Sequence, residues 1–319
     1  MISLQLLLFV IGLVVLYFGA EWLVKGAASL AIHYGIRPMI VGITIVALAT
    51  SMPEFVVNFV AALSGEDNLA LGNIVGSNIC NIALILGISA LVIPLSVQPS
   101  TLKKEYPIML AVMILFYVIS LDGTISQIDG GILIAGLISF FTFLIIDARR
   151  HGPAVQPPSD DDAEKEEDLT STMRILYVLG GMVGLSVGAR VMVDAAVNIA
   201  EALAISPIIV GLTVVAIGTS LPELAASVAF AMKKQVDMSV GNVLGSNMLN
   251  VLFVVGLVSM INPLHVDTDS IQIHFPVMLA FCVVLLPLAW TQYRITRLEG
   301  SFLLAGFVSY IVYLVLPYV

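Results

Sequence analysis

Charged residues are scarce in this sequence. Only 11% of its 319 residues are charged, whereas soluble domains carry about 25%. Hydrophobic residues make up 59% of the chain, and the mean hydropathy is +1.06. Several apolar runs exceed the roughly 18 residues that indicate a membrane-spanning helix. This composition excludes an ordinary soluble domain, gives no basic surface for nucleic acid, and predicts a protein embedded in a lipid bilayer.

Cysteine and histidine are also scarce, with two and four residues respectively. Cys80 and Cys282 lie in apolar segments, so they predict neither a disulfide framework nor a metal site. No arrangement of histidine, Ser/Lys or paired aspartates suggests an intramembrane enzyme, and we expect no cofactor. The apolar run at the start has no basic stretch before it, so we expect the first span there rather than a removed signal peptide.

Apolar runs between charged or turn-rich breaks predict an all-α membrane protein with ten transmembrane helices. Some runs are short for a full crossing and others are long and glycine-rich, which favours tilted or broken helices. The predicted spans cover residues 2–32, 38–64, 69–92, 106–120, 129–147, 173–201, 207–231, 238–260, 273–290 and 300–316.

Basic residues between the spans fall on one side only. With ten spans, every lysine and arginine outside the spans lies in the odd-numbered loops, and the other loops carry only acidic residues. That asymmetry predicts a cytoplasmic side, both termini outside, and a location in the plasma membrane. The basic loop residues are Arg37, Lys103, Lys104, Arg149, Arg150, Lys165, Arg174, Lys233, Lys234, Arg294 and Arg297.

Two basic residues remain inside spans, each with an acidic residue four positions away. Lys25 follows Glu21, and Arg190 precedes Asp194. At this spacing each pair can neutralise itself on one helix face. A structural pair near a helix end is the interpretation we prefer, although charges within spans are also functional candidates.

One long polar segment divides the chain. Residues 148–172 are acidic and contain proline, so they cannot form a core, and we expect a cytoplasmic linker. The run Asp160–Asp162 could hold a regulatory Ca²⁺, but its spacing matches no EF-hand, and a solvated charge run explains it better. The predicted domains are therefore residues 1–147, the linker, and residues 173–319.

The two domains are internal repeats. A shift of 169 residues aligns 12–94 with 181–263 without a gap, and 29 of the 83 positions are identical. The matches concentrate in two blocks, VGITIVALATSMPE with VGLTVVAIGTSLPE and GNIVGSNICN with GNVLGSNMLN. Because each half has five predicted spans, the second half must enter the membrane from the opposite side. Inverted repeats of this kind are typical of alternating-access transporters.

The first block places polar residues along one helix face. Ala47, Thr50, Ser51 and Glu54 follow one helical stripe with spacings of three and four, and Pro53 cannot donate a hydrogen bond to the carbonyl of the fourth residue before it. A carbonyl freed at membrane depth must line a cavity or meet other protein groups. The second half repeats the set with Ala216, Thr219, Ser220, Pro222 and Glu223.

The second block adds hydroxyl and amide oxygens to the predicted site. Ser77 with Asn81, and Ser246 with Asn250, are pairs at helical spacing, and the glycines beside them permit close helix contact. Asn73 and Asn242 lie at the edge of the block, where packing or capping explains them as well as ligation does. Asn78 and Asn247 face another side of the helix, and we expect them to form interhelical hydrogen bonds.

All of these predicted ligands are hard oxygens. The absence of histidine and cysteine argues against Zn²⁺ or Cu⁺, whereas mixed carboxylate and carbonyl oxygens suit Ca²⁺. Na⁺ accepts the same ligands. Two carboxylates balance one Ca²⁺ or two monovalent ions, so the two ions should compete for one site, which is how an exchanger couples their fluxes.

Other interpretations remain open. Buried structural carboxylates would explain Glu54 and Glu223 poorly, because an unpaired charge at bilayer depth costs at least about 2.5 kcal/mol and the motif occurs twice. Exchange of H⁺ against Ca²⁺ or another divalent cation uses glutamates as well. A cation channel could use the same ligands, but inverted repeats and proline-broken helices disfavour it.

The two blocks resemble the alpha repeats of the calcium/cation antiporter superfamily, and most closely the prokaryotic sodium/calcium exchangers. The resemblance covers essentially the whole chain. It implies that Glu54 and Glu223 bridge Ca²⁺ and Na⁺, that the threonines and serines line Na⁺ sites, and that Ala47 and Ala216 offer carbonyls. It also implies three Na⁺ exchanged for one Ca²⁺, and the first and sixth spans sliding past a static core.

Asparagine at both Asn81 and Asn250 resembles the potassium-independent members, because other members carry aspartate at one of these positions. The proton-coupled branch typically has G-N-x-x-E in the third and eighth spans. Here Val75-Gly76-Ser77 and Leu244-Gly245-Ser246 stand in that part of the two spans, without the glutamate. This difference favours Na⁺ as the coupling ion. We expect a monomer that exports Ca²⁺ in exchange for Na⁺.

Overall fold

The computed structural model describes residues 2–151, 169–203 and 216–316. Within those ranges the chain is almost entirely helical. Eight helical segments are long and apolar enough to cross a membrane, so the protein is a multi-pass membrane protein. The fourth and seventh of the ten predicted spans are not among these eight, because their described helices, Glu105–Ser120 and Leu221–Met232, are shorter. Residues 207–215 of the seventh predicted span, and 152–168 of the predicted linker, lie outside the described residues.

The first half contains eight α-helices, two π-helical segments and two short strands. In chain order they are α1 (Ile2–His33), α2 (Pro38–Val41), π1 (Gly42–Val46), α3 (Ala47–Leu63), α4 (Asp67–Ile79), π2 (Cys80–Ile85), α5 (Leu86–Val92), β1 (Leu95–Ser96), α6 (Pro99–Lys103), α7 (Glu105–Ser120), β2 (Thr124–Ile125) and α8 (Gln127–His151).

The described part of the second half has a similar but not identical order of elements. It comprises α9 (Ser171–Ala202), α10 (Ala216–Thr219), α11 (Leu221–Met232), α12 (Val236–Leu249), π3 (Asn250–Val255), α13 (Gly256–Ile261), β3 (Leu264–His265), π4 (Ser270–His274), α14 (Phe275–Trp290), a 3₁₀ turn (Thr291–Tyr293), β4 (Arg294–Ile295) and α15 (Arg297–Val315). The helix ends lie within a few residues of the predicted spans wherever both are described.

Two small antiparallel sheets connect the halves. Strand β1 pairs with β4, and β2 pairs with β3. Each sheet therefore joins one loop of the first half to one loop of the second. The loops that pair are those that the charge pattern predicts to lie on the same side of the membrane.

Helices α1 and α9 pack together along their length at very short distance. A Cβ added to Gly19 would lie 2.5 Å from the backbone nitrogen of Leu185, and one added to Gly188 would lie 2.5 Å from that of Leu16. Glycine is what permits this approach of two backbones in a membrane. The remaining helices enclose a separate apolar core around α4, α7 and α12.

Ionic contacts link several helices and the loops beside them. The Arg37 guanidinium lies 3.0 Å from Asp147, whose other oxygen lies 2.6 Å from Lys104. The predicted Arg190–Asp194 pair is present at 3.8 Å. Glu21 forms an ion pair with Lys233 at 2.8 Å, joining α1 to the end of α11.

Lys25 lies over the Tyr177 ring, 4.8 Å from its centroid. Its helical neighbour Glu21 forms an ion pair with Lys233 of the second half, and this contact joins two elements, α1 and α11.

Candidate functional site

The first motif lies on a continuous helix. Thr50, Ser51 and Glu54 are all buried on α3, with side chains no more than 4% exposed. Pro53 sits inside α3 without ending it. The sequence predicts a backbone opened at this proline, and the helix instead runs on to Leu63. The π-helical segment π1 ends immediately before Ala47, so the irregular backbone comes one turn before the motif.

The second motif lies at a helix break. Helix α10 ends at Thr219, Ser220 has φ −89° and ψ 5°, and α11 begins at Leu221. Pro222 occupies the first turn of α11, where a missing N–H costs nothing. Glu223 is in that same first turn and is 1% exposed. Ala216 begins α10, so the second set of predicted ligands spans the break.

The two motifs meet at the centre of the protein. The Ser51 hydroxyl donates a hydrogen bond to Glu223 Oε1 at 2.9 Å, and the Glu54 and Glu223 carboxyl groups are close enough to interact directly. Each carboxyl group has one buried oxygen, Oε2, with no hydrogen-bond partner in the described part of the chain. The two predicted carboxylates therefore lie together in one buried polar cluster.

The two motif threonines are fixed by asparagines of the opposite half. The Thr50 hydroxyl donates to Asn242 Oδ1 at 3.2 Å, and the Thr219 hydroxyl donates to Asn73 Oδ1 at 3.0 Å. Thr50 also contacts the Ala47 carbonyl at 3.3 Å. Asn242 and Asn73 thus accept hydrogen bonds from hydroxyl groups of the other half, a contact that differs from the packing or loop-capping that the sequence offered beside ligation.

The second block supplies the other two walls of the site. Ser77 and Ser246 are buried on α4 and α12, and neither hydroxyl has a partner among the described residues. Asn250 begins π3, and Asn81 is the second residue of π2. Single π-helical turns within α-helices occur frequently at functional sites. Here they change the helix register at the two predicted amide ligands.

The unpartnered oxygens in the centre form a donor set for a hard cation. Buried polar groups nearly always have a hydrogen-bond partner, so a cluster of exceptions calls for a missing ligand. No group of three or more histidine, cysteine, aspartate or glutamate side chains forms a metal site among the described residues. The arrangement suits an ion held by a few carboxylates and many neutral oxygens. The oxygens without a partner are Glu54 Oε2, Glu223 Oε2, Ser77 Oγ, Ser220 Oγ, Ser246 Oγ, Asn81 Oδ1 and Asn250 Oδ1.

Sequence reasoning missed the hydrogen bonds that support this site. Asn242 donates to Ser227 Oγ at 2.9 Å and lies 3.4 Å from the Glu223 carbonyl. The position that matches Ser227 in the first half is Asn58, whose amide donates to the Glu54 carbonyl at 2.6 Å. Asparagine occurs at the same position of both repeats, as Asn73 and Asn242, and this repetition was the sequence signal that could have identified the pair. Asn58 and Ser227 occupy matching positions but differ in type, so no repetition marks them.

Known proteins match this chain along nearly its whole length. The family model described as sodium/calcium exchanger protein matches residues 4–146 and 173–316. A putative antiporter, CaxA, of Alkalimonas amylolytica is 36% identical over 304 residues, which is 94% of this chain and 95% of that protein. The sodium/calcium exchanger MaX1 of Methanosarcina acetivorans is 30% identical over 347 residues, covering 98% and 99%.

Solved structures match as well. The sodium-calcium exchanger NCX_Mj, soaked with zero Na⁺ and Ca²⁺, superposes with a TM-score of 0.84 and 31% sequence identity, and the match covers 98% of this chain and 100% of that one. The same protein in 2.5 mM Na⁺ and 0.1 mM Ca²⁺ gives a TM-score of 0.82. The family match, the relatives and the fold agree, and the chain belongs to the sodium/calcium exchanger family of membrane cation antiporters.

Proposed function

We propose that this protein exchanges Na⁺ for Ca²⁺ at the site formed by Glu54 and Glu223, exporting Ca²⁺ from the cell. The observation that carries the proposal is the contact between the two motifs, in which Ser51 of one half donates to Glu223 of the other at 2.9 Å. A site built from both halves is exposed to either side only when the halves rearrange around it. That is the requirement for alternating access.

Charge balance explains how the two fluxes are coupled. Two carboxylates neutralise one Ca²⁺, and the surrounding hydroxyl and amide oxygens complete a coordination number of about six to eight. Na⁺ ions bound to the same carboxylates leave no negative charge for Ca²⁺. The full exchange is three Na⁺ for one Ca²⁺ without K⁺, as the resemblance implies, and it moves net charge. The ligand set comprises the Glu54 and Glu223 carboxylates, the hydroxyls of Thr50, Ser51, Ser77, Thr219, Ser220 and Ser246, the amide oxygens of Asn81 and Asn250, and the Ala47 and Ala216 carbonyls.

The proposed topology is ten spans in two inverted repeats, residues 1–147 and 173–319, with both termini outside and the acidic linker 148–172 in the cytoplasm. Contacts between loops support it. On the proposed cytoplasmic side Gln98 bonds to Asp237 at 2.6 Å, and β1 pairs with β4. On the outer side the backbone of His265 bonds to Asp67 at 3.0 Å, and β2 pairs with β3. The protein acts as a monomer in the plasma membrane.

The test is ⁴⁵Ca²⁺ uptake into proteoliposomes with Na⁺, K⁺ and H⁺ gradients imposed one at a time. An outward Na⁺ gradient should drive uptake, and a valinomycin-clamped K⁺ potential should alter its rate because net charge moves. Uptake driven by a pH gradient in Na⁺-free medium would instead identify a proton/divalent-cation antiporter. Flux without any counter-ion would identify a channel.

Variants of the two glutamates link this flux to the site. Glu54→Gln and Glu223→Gln keep the size of the side chain but remove its charge and replace one acceptor oxygen with a donor NH₂ group. Either one should abolish Na⁺-driven uptake, because a single remaining carboxylate cannot neutralise Ca²⁺ at bilayer depth. Wild-type uptake by either variant would refute the site. Glu21 lies on α1, away from the two motifs, and its side chain is 33% exposed. Glu21→Gln is therefore the matched control and should retain transport.

A further inference from the structure

The two asparagines at the site are equivalent in the sequence but not in the structure. Asn81 and Asn250 occupy the same position of the repeat, and both are 1% exposed. The Asn81 amide nitrogen donates to Asn247 Oδ1 at 2.9 Å. In the described part of the chain, neither amide atom of Asn250 has a hydrogen-bond partner. One amide is therefore held in a fixed orientation, and the other is not.

Orientation decides what an asparagine can bind. Its amide carries one oxygen that accepts and one nitrogen that donates, and only the oxygen can ligate a cation. Because the Asn81 nitrogen is held by Asn247, its oxygen must point the other way. That oxygen is buried and has no partner among the described residues. Asn81 thus presents an acceptor to the site before any ion arrives.

Asn247 is itself held so that its oxygen faces Asn81. It is fully buried, and its amide nitrogen lies 3.9 Å from the sulfur of Met109 on α7. A thioether is a weak acceptor and cannot donate. It can therefore receive the nitrogen of Asn247 but cannot satisfy its oxygen, which favours the orientation observed. The hydrogen bonds run in one direction, from Asn81 to Asn247 to Met109.

The repeat contains a built-in control for this arrangement. Asn78 corresponds to Asn247 at the shift of 169 residues, and it is also fully buried. Neither atom of its amide has a partner in the described ranges, and it makes no hydrogen bond to Asn250. The sequence predicts the same interhelical role for both residues, and the structure gives that role to one.

We propose that Asn247 is a positioning residue that fixes Asn81 as an oxygen ligand and so makes the two amides of the site unequal. The inference rests on the proposed function, since it takes Asn81 to ligate the transported cation. Asn247 does not touch the ion in this scheme. It acts through Asn81 alone, by removing the orientation in which the Asn81 NH₂ group would face a positive charge.

The experiment is equilibrium ⁴⁵Ca²⁺ binding to the purified full chain in detergent, together with the Na⁺ concentration that half-displaces it. Asn247→Leu keeps the shape of the side chain and removes the acceptor, and Asn78→Leu is the matched control. Asn81→Ala and the double variant Asn81→Ala/Asn247→Leu complete a double-mutant cycle. Asn247→Ala is the second variant should leucine prevent folding, which gel filtration and thermal unfolding detect.

We expect Asn247→Leu to weaken Ca²⁺ binding about tenfold, the loss of one well-placed interaction. Asn81→Ala should weaken it similarly, and the double variant should bind no more weakly than Asn81→Ala. Asn78→Leu should stay within about twofold of wild type. Effects that add in the double variant, or wild-type affinity in Asn247→Leu beside a weakened Asn81→Ala, would overturn the inference alone. Wild-type affinity in Asn81→Ala would overturn its place in the proposed ligand set as well.

Discussion

The two copies of the T-S-x-P-E motif have nearly the same sequence and different backbones. Residues 50–54 lie within the continuous helix α3, whereas residues 219–223 span the break between α10 and α11. Since proline occurs at the same place in both, proline alone does not decide where the helix breaks. The packing around each copy must account for the difference.

Two glycines of the second half lie in close contact with other helices. A Cβ at Gly245 would lie 2.4 Å from the Ile43 carbonyl oxygen, so α12 is in backbone contact with π1. The residues that match π1 in the second half lie outside the described residues. Gly218 stands where the first motif has Ala49, and a Cβ there would lie 2.4 Å from Val193 on α9. The second half of the repeat thus permits two close approaches, one to π1 and one to α9.

The largest effect in this comparison should come from Gly245→Ala. The added methyl group would overlap the Ile43 carbonyl and lie 2.7 Å from the Ala47 Cβ. Backbone cannot move aside as a side chain can, so we expect a cost at the upper end of the roughly 1–3 kcal/mol typical of overpacking. Na⁺-driven ⁴⁵Ca²⁺ uptake should fall to about a tenth of wild type or less.

Thermal unfolding of the same variant separates a loss of transport from a loss of folding. Wild-type uptake by Gly245→Ala would show that the backbone contact between α12 and π1 does not matter for transport.

A smaller effect is expected from Gly218→Ala. The contact it creates is with the end of a side chain, Val193 Cγ2, which α9 can accommodate in part. Uptake should fall several-fold, in line with overpacking of about 1 kcal/mol. Val193→Ala should restore it in the double variant, because the valine methyl groups are what the new Cβ meets.

Ala49→Gly, at the matching position of α3, tests the same comparison from the other half. It removes a methyl group inside a continuous helix, where glycine lowers the stability by about 0.5–1 kcal/mol relative to alanine.

If Gly218→Ala were harmless, or if Val193→Ala failed to rescue it, the contact between α9 and the second motif would not matter for transport.

Much of this account could be predicted from the sequence, because it follows from hydrophobicity and repetition. Helix ends near the predicted boundaries follow from apolar runs, and the burial of Glu54 and Glu223 beside each other follows from an in-register motif. The break at Ser220 could not be predicted, since the same motif forms a helix in the first half. The single hydrogen bond from Asn81 to Asn247 is also absent from the pattern, because it depends on how π2 packs against α12.

The ion pair between Glu21 and Lys233 shows the same limit. Sequence spacing predicts contacts within a helix, such as that between Glu21 and Lys25, and gives no sign of a contact with Lys233. The 2.8 Å contact to Lys233 arises because α1 packs beside α11. Tertiary contacts of this kind become visible only when the helices are placed relative to one another.

The central claim is that two carboxylates from two halves form one cation site. Equilibrium ⁴⁵Ca²⁺ binding to the purified protein, with Glu54→Gln and Glu223→Gln beside wild type, tests it most directly. We predict one saturable Ca²⁺ site per wild-type chain, displaced by Na⁺, and no saturable binding in either variant. Wild-type binding in either variant, or Ca²⁺ that Na⁺ does not displace, would contradict a shared site.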